Sequence, residues 1–149
     1  MKIYIGADHD GFDLKQTLSD YLSRGGHEIV DKGDTEKHPD DDYPVFAAQV
    51  VHGMSEDPST NIRGILISGG GQGMAIAANR HKGVRACLGW NQDTVRMSRN
   101  DNDSNVLCIP ARDLNFETVV GIVHTWLITP FAGAPRYKRR IELLDQLGN

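Results

Sequence analysis

Gly64-Ile65-Leu66-Ile67-Ser68-Gly69-Gly70-Gly71-Gln72-Gly73-Met74-Ala75-Ile76-Ala77-Ala78-Asn79 runs from an apolar strand through a glycine loop into a helix of small residues. A loop nearly free of Cβ atoms lets successive backbone N–H groups turn toward one point. The following helix adds its unpaired N-terminal N–H groups and the positive end of its dipole. The stretch reads as an anion cradle, for a phosphate or for an oxyanion formed during a reaction. The alternative is a glycine-rich turn that only lets a helix pack closely on a strand.

The same strand-then-helix rhythm extends in both directions. Lys2 to Ala7 alternates, and Leu14, Leu18, Tyr21 and Leu22 follow at helical spacing, closed by Gly25-Gly26. Glu28 to Asp31 reads as a strand, followed by a polar loop and a helix from about Pro44 to Met54. Next come Ile65 to Ser68 with a helix Gly73 to His81, Val84 to Leu88 with a helix Asp93 to Arg99, and Val106 to Ile109 with a helix Phe116 to Leu127. Alternation of this kind predicts an α/β, three-layer, Rossmann-like fold with a five-stranded parallel sheet, and ligands outside the carboxyl ends of the strands. Arg136 to Leu147 reads as an extra C-terminal helix whose thin stripe of Ile141, Leu144 and Leu147 suits a neighbouring subunit, which predicts a homodimer.

The 149 residues, 39% hydrophobic and 24% charged, fit one domain spanning 1–149. A formal net charge of −4 gives no basic face for nucleic acid, and no apolar run is long enough to span a membrane. No leader is read before the first strand, so a soluble cytoplasmic protein is expected. Cys87 and Cys108 fall inside strands and read as reduced, packed thiols rather than a disulfide.

Chemistry-bearing residues gather around the strand ends. Asp8-His9 closes the first strand and brings a carboxylate and an imidazole to the ligand edge, although such a pair also serves as helix-capping chemistry. A protonated His9 can donate to a phosphate. Arg136 and Arg140, four apart on one helix face, can converge on a phosphate, and the same pair also fits a solvated basic face. Arg112 follows the fifth strand. Arg99 to Asn105 is a dense polar run that also fits an Asx-rich turn. His38-Pro39-Asp40-Asp41-Asp42-Tyr43-Pro44 satisfies no metal-ligand spacing, and no metal or cofactor is expected. Tyr43 suits an aromatic hydrogen-bonding wall beside a sugar. The loop is not G-x-G-x-x-G, it follows the third strand rather than the first, and the strand after it ends without an acidic residue, so a dinucleotide site is disfavoured. A Walker loop is absent as well.

Gly6-Ala7-Asp8-His9, Asp42-Tyr43-Pro44, the glycine loop leading into Ile76-Ala77-Ala78-Asn79, Gly83-Val84-Arg85-Ala86, Asn102-Asp103-Ser104-Asn105-Val106-Leu107 and the pair Arg136/Arg140 occur in this order. Together they resemble the family of ribose-5-phosphate isomerase B and the galactose-6-phosphate isomerase subunits, over essentially the whole chain. The resemblance implies a Rossmann-like homodimer, sometimes paired into a tetramer, with active sites at the subunit interface. It implies a metal-independent aldose-ketose isomerisation of a sugar phosphate through an enediolate, as in pentose phosphate metabolism. By motif matching, His9, Arg112, Arg136 and Arg140 would grip the phosphate. Asp8, Tyr43 and Asn102 would contact the sugar, and Gly69, Gly70, Gly71 and Gly73 would form the anion hole.

The chain departs from that family where protons move. Many members carry a cysteine as the C2 base where this chain has Ser68, and another branch has a glutamate where this chain has Met74. The ring-opening histidine is matched by Asp101. A thiol titrates near ~8.5 and a serine hydroxyl several units higher, so Ser68 needs an adjacent base. Asp101, or Asp8 taking over, with Ser68 as relay, are the candidates for acid-base work. The alternative is a catalytically silent sugar-phosphate binding protein.

Overall fold

The computed structural model describes residues 1–148. Its elements alternate as the sequence predicts: β1 (Lys2–Ala7), α1 (Phe12–Arg24), β2 (Glu28–Asp31), α2 (Tyr43–Glu56), β3 (Ile62–Ser68), α3 (Gln72–Ala78), β4 (Ala86–Leu88), α4 (Gln92–Asn102), β5 (Val106–Pro110), α5 (Phe116–Ile128) and α6 (Pro135–Asp145). The strands form one parallel sheet in the order β2-β1-β3-β5-β4.

Period-two alternation along the central strands divides the core between the two faces of the sheet. Ile3, Ile5, Ile65, Ile67, Leu107 and Ile109 meet Leu18 and Leu22 of α1, Val95 of α4, and Val119, Ile122, Val123 and Trp126 of α5. Tyr4, Leu66, Val106 and Cys108 point the other way, onto Phe46, Ala47, Val50 and Val51 of α2 and Met74 and Ala78 of α3. The result is three layers, with both sheet faces covered as an all-parallel sheet requires. The buried Trp126 keeps its indole N–H satisfied by donating to Ser104 Oγ at 2.8 Å.

Chain order reverses between β1 and β3, because β1 continues to β2 on one side and β3 leads to β5 and β4 on the other. Ala7 pairs with Ile67, so Asp8 and Ser68 follow side by side at the carboxyl edge, and Ser68 pairs with Pro110. This switch point is where ligands bind in open α/β sheets.

Two element boundaries differ from the sequence reading in ways that matter for the site. The α3 helix stops at Ala78 rather than continuing to His81. Asn79 turns its side-chain amide onto Ala86, donating to its carbonyl at 2.9 Å and accepting its N–H at 2.8 Å. The α4 helix runs on to Asn102, so Asp101 and Asn102 sit in its last turn rather than in an Asx turn. Arg99, buried at 3% exposure, fastens that turn by donating to Asp103 Oδ1 and to the Ser104 carbonyl, each at 2.6 Å.

Candidate functional site

The carboxyl edge of β1, β3 and β5 holds a small cavity of about 190 Å³, lined by Asp8, Asp10, Tyr43, Ser68, the glycine loop and Arg112. Each lining group has an identifiable support. Asp8 Oδ1 accepts the N–H groups of Asp10 and Gly11, both at 3.1 Å, and so closes the turn into α1. The capping role read from the sequence is therefore present, yet the residue also lines the cavity. Burial raises the Asp8 carboxyl above the ordinary aspartate range, partly offset by the Gly11 hydrogen bond.

Ser68 ends β3 and its Oγ accepts the N–H of Gly71 at 3.0 Å. That loop N–H is committed to the protein. The four glycines consequently do different jobs. A Cβ on Gly69 would lie 2.7 Å from Asp10 Oδ2 and 2.8 Å from Arg112 Cζ. Gly71 has φ 70, and a Cβ there would meet Leu88 Cδ1 at 2.5 Å. A Cβ on Gly73 would enter the Tyr43 ring, 2.6 Å from Cζ. At Gly70 a Cβ would find nothing within 4 Å, so this part of the loop faces open space.

His9 is clasped by a residue that the sequence reading set aside. Its Nδ1 lies 2.7 Å from Asp41 Oδ1, and its backbone N–H donates to the same oxygen at 3.2 Å. The Asp41 hydrogen bond raises the His9 imidazole above its ordinary range, only partly countered by desolvation and supported by Asp10. Asp41 belonged to an acidic run weighed only for metal binding. Asp10 was not singled out at all, although it ion-pairs with Arg112 Nη2 through Oδ2. The one available signal for both was a carboxylate close in sequence to another candidate site residue. Met74, matched to a glutamate in one branch of the resembling family, is fully buried in the α2–α3 layer and serves packing.

The remaining candidates are elsewhere. The expectation that the candidate site residues lie at a carboxyl strand end, in a loop beyond it or in the C-terminal helix is corrected for Asp101 and Asn102. Because α4 leaves the end of β4 and returns to the start of β5, its last turn lies at the amino edge of the sheet, opposite the glycine loop. The neighbouring Asn105 carbonyl accepts Gly64 N–H near the start of β3, which fixes that placement. Asp101 accepts from Asn100 Nδ2 at 2.7 Å and lies near enough to Arg136 to raise its guanidinium slightly further, after the larger effect of Tyr137. Arg136 also stacks on the Tyr137 ring, 4.7 Å from its centroid, and both Arg136 and Arg140 are exposed on α6. Within one chain the site residues thus form two groups on opposite edges. Asp8, His9, Tyr43, Ser68, the glycines and Arg112 make one, while Asp101, Asn102 and Arg136 belong to the other.

The α6 helix buries no residue and leaves Leu143 and Leu144, with Leu147 just beyond it, exposed. No helix among the described residues is long and apolar enough to cross a membrane.

Comparison with known proteins bears on the family and the fold. The model of the Ribose/Galactose Isomerase family matches residues 3–144. A ribose-5-phosphate isomerase B of Mycolicibacterium paratuberculosis is 36% identical over 98% of this chain and 91% of its own length. One from Escherichia coli is 37% identical over 98% and 95%. Among solved structures, a ribose 5-phosphate isomerase from Thermotoga maritima superposes with a TM-score of 0.92 at 40% identity, covering 98% of both chains. The Mycoplasma genitalium ribose-5-phosphate isomerase B with bound ribulose-5-phosphate gives 0.91 at 34%, covering 97% of this chain and 94% of that one.

Proposed function

We propose, for a chain that belongs to the ribose/galactose isomerase family, that it is an aldose-ketose isomerase of a phosphorylated sugar, with ribose 5-phosphate the first substrate and a hexose 6-phosphate the second. The observation that carries this reading is the switch-point cavity, where a buried carboxylate, a serine hydroxyl and a glycine loop face one small volume.

In the open-chain aldose the proton on C2 is removed, and electrons move from the C2–H bond to the C1 carbonyl oxygen. Asp8 is the base: burial raises its carboxyl, which brings its proton affinity closer to that needed near neutral pH. Loop N–H groups around Gly70 hold the enediolate oxygen, the kind of electrostatic stabilisation that supplies most of such a rate enhancement. Ser68 relays the hydroxyl proton from O2 to O1, and Asp8 returns its proton to C1, which yields the ketose. No cofactor enters this balance.

The cavity of about 190 Å³ is below the ~300–1,000 Å³ usual for small-molecule sites, so one chain supplies only part of one. In this account a second copy brings Asp101, Asn102, Arg136 and Arg140 to the glycine loop, in a homodimer that can pair into a tetramer. His9 and Arg112 meet the phosphate together with Arg136 and Arg140, and Tyr43 and Asn102 contact the sugar. The exposed leucines at α6 support such an interface. We assign the enzyme to the cytoplasm, which suits the free Cys87 and Cys108.

The residues also favour a second reading, a silent sugar-phosphate binder: by motif matching, Ser68, the buried Met74 and Asp101 stand where the resemblance implies the family's proton-transfer groups. Proton NMR in D₂O with ribose 5-phosphate, then with allose and galactose 6-phosphates, separates the two. Loss of the C2 proton with ketose formation is expected. Saturable binding of the sugar without exchange in any of them would establish the binder instead.

A further inference from the structure

Asp10 lines the cavity and takes no part in the proposed reaction. Its carboxylate lies between two groups assigned to the phosphate. Oδ2 is ion-paired with Arg112 Nη2, and Oδ1 stands 3.6 Å from His9 Nε2. The pair is pressed onto the loop, since a Cβ on Gly69 would come within 2.8 Å of both Asp10 and Arg112. Asp41 holds the other nitrogen of His9 at 2.7 Å. A phosphate arriving at this edge therefore meets a guanidinium and an imidazole that already have anionic partners. Arg112 keeps 70% of its side chain exposed, so its fork is reachable, but not without facing the Asp10 charge.

Resting on the reading that this chain binds a sugar phosphate, we propose that Asp10 is a resident counter-anion of the phosphate seat, displaced from Arg112 when the substrate binds. Every phosphate exchanges one anion for another on Arg112, so Asp10 sets a threshold that applies to all of them. Inorganic phosphate has nothing further to offer and gains little, whereas a sugar phosphate adds hydroxyl contacts to Tyr43 and the glycine loop, which offset the displacement. The opposite role, a brace that holds Arg112 ready for phosphate, makes the opposite prediction, because removing a brace weakens binding.

Calorimetric titration of inorganic phosphate and of ribose 5-phosphate into wild type, Asp10→Asn, Asp10→Glu and Asp13→Asn, at fixed ionic strength, tests this. Asp13 is a surface residue paired with Lys37 and controls for net charge. Asp10→Asn is expected to bind inorganic phosphate about fivefold more tightly, the size of one partly exposed charge interaction. Ribose 5-phosphate tightens by a similar factor, because both ligands displace the same ion pair. Asp13→Asn and the charge-keeping Asp10→Glu stay near wild type. Equal or weaker phosphate binding by Asp10→Asn, with wild type still binding ribose 5-phosphate, overturns the role of Asp10 alone. Failure of wild type to bind any sugar phosphate removes the substrate reading and this proposal with it.

Discussion

Ser68 and Asp8 stand side by side at the ends of two paired strands, and their chemistry differs by what each has already given to the protein. The serine oxygen accepts the Gly71 N–H, so its remaining asset is a proton to pass on. The aspartate has one oxygen engaged by two backbone N–H groups and a carboxyl raised by burial. Asp8→Asn is therefore expected to lower kcat by ~10²–10⁴, the usual worth of a general base, with a much smaller change in KM. Steady-state kinetics of the isomerisation decides it, and turnover within a factor of ~3 of wild type would move the base elsewhere.

His9 supplies a pH signature. Its raised pKa keeps the imidazole charged to higher pH than usual, and affinity for a phosphate falls as pH rises through that pKa. Asp41→Asn removes the main cause, so the fall in affinity moves to lower pH, read as 1/KM against pH. An unmoved midpoint would detach His9 from the phosphate. The Asp-His pair and the glycine loop were legible in the sequence because their neighbours in the chain are also their neighbours at the sheet edge. Asp41 was not, since its partner is 32 residues away and reaches it only after the β2–α2 loop folds over.

At the scale of elements, that loop is tied down by Lys15. The side chain is fully buried in α1, donates to Asp31 Oδ1 and Oδ2 at 2.9 and 2.7 Å and to the Asp34 carbonyl at 2.9 Å, and so pins the segment that leads to Asp41. Lys15→Ala should cost about 3 kcal/mol, the low end for breaking a buried pair because Asp31 keeps 39% side-chain exposure. Urea unfolding measures this, and a loss below about 1 kcal/mol would mean that the pair behaves as a surface one. The β-α rhythm was readable because each strand and helix carries its own period. The extent of α4 was not. Asn100, Asp101 and Asn102 are poor helix formers, and they are helical here because Arg99 ties the turn to Asp103 and Ser104 and also donates to the Thr129 carbonyl at 3.2 Å, a contact made only after α4 packs beside the end of α5.

At the scale of the whole molecule, the sheet itself separates the residues that the family resemblance groups together. The motif order in the sequence carries no information about which edge a loop occupies unless strand and helix directions are followed, and doing so puts Asp101 and Asn102 opposite the glycine loop. In the proposed homodimer the two groups meet between two copies of the chain.

Subunit complementation tests that claim most directly. Asp8→Asn damages one edge, and the double substitution Arg136→Ala with Arg140→Ala damages the other. Each variant alone should be nearly inactive as a homodimer. After dissociation and reassociation of an equal mixture, half the dimers are mixed, and each has one site with both edges intact. Recovery to about a quarter of wild-type activity is expected, as two-fold symmetry requires. A mixture that forms mixed dimers and recovers nothing would contradict it, and the site would then belong to a single chain.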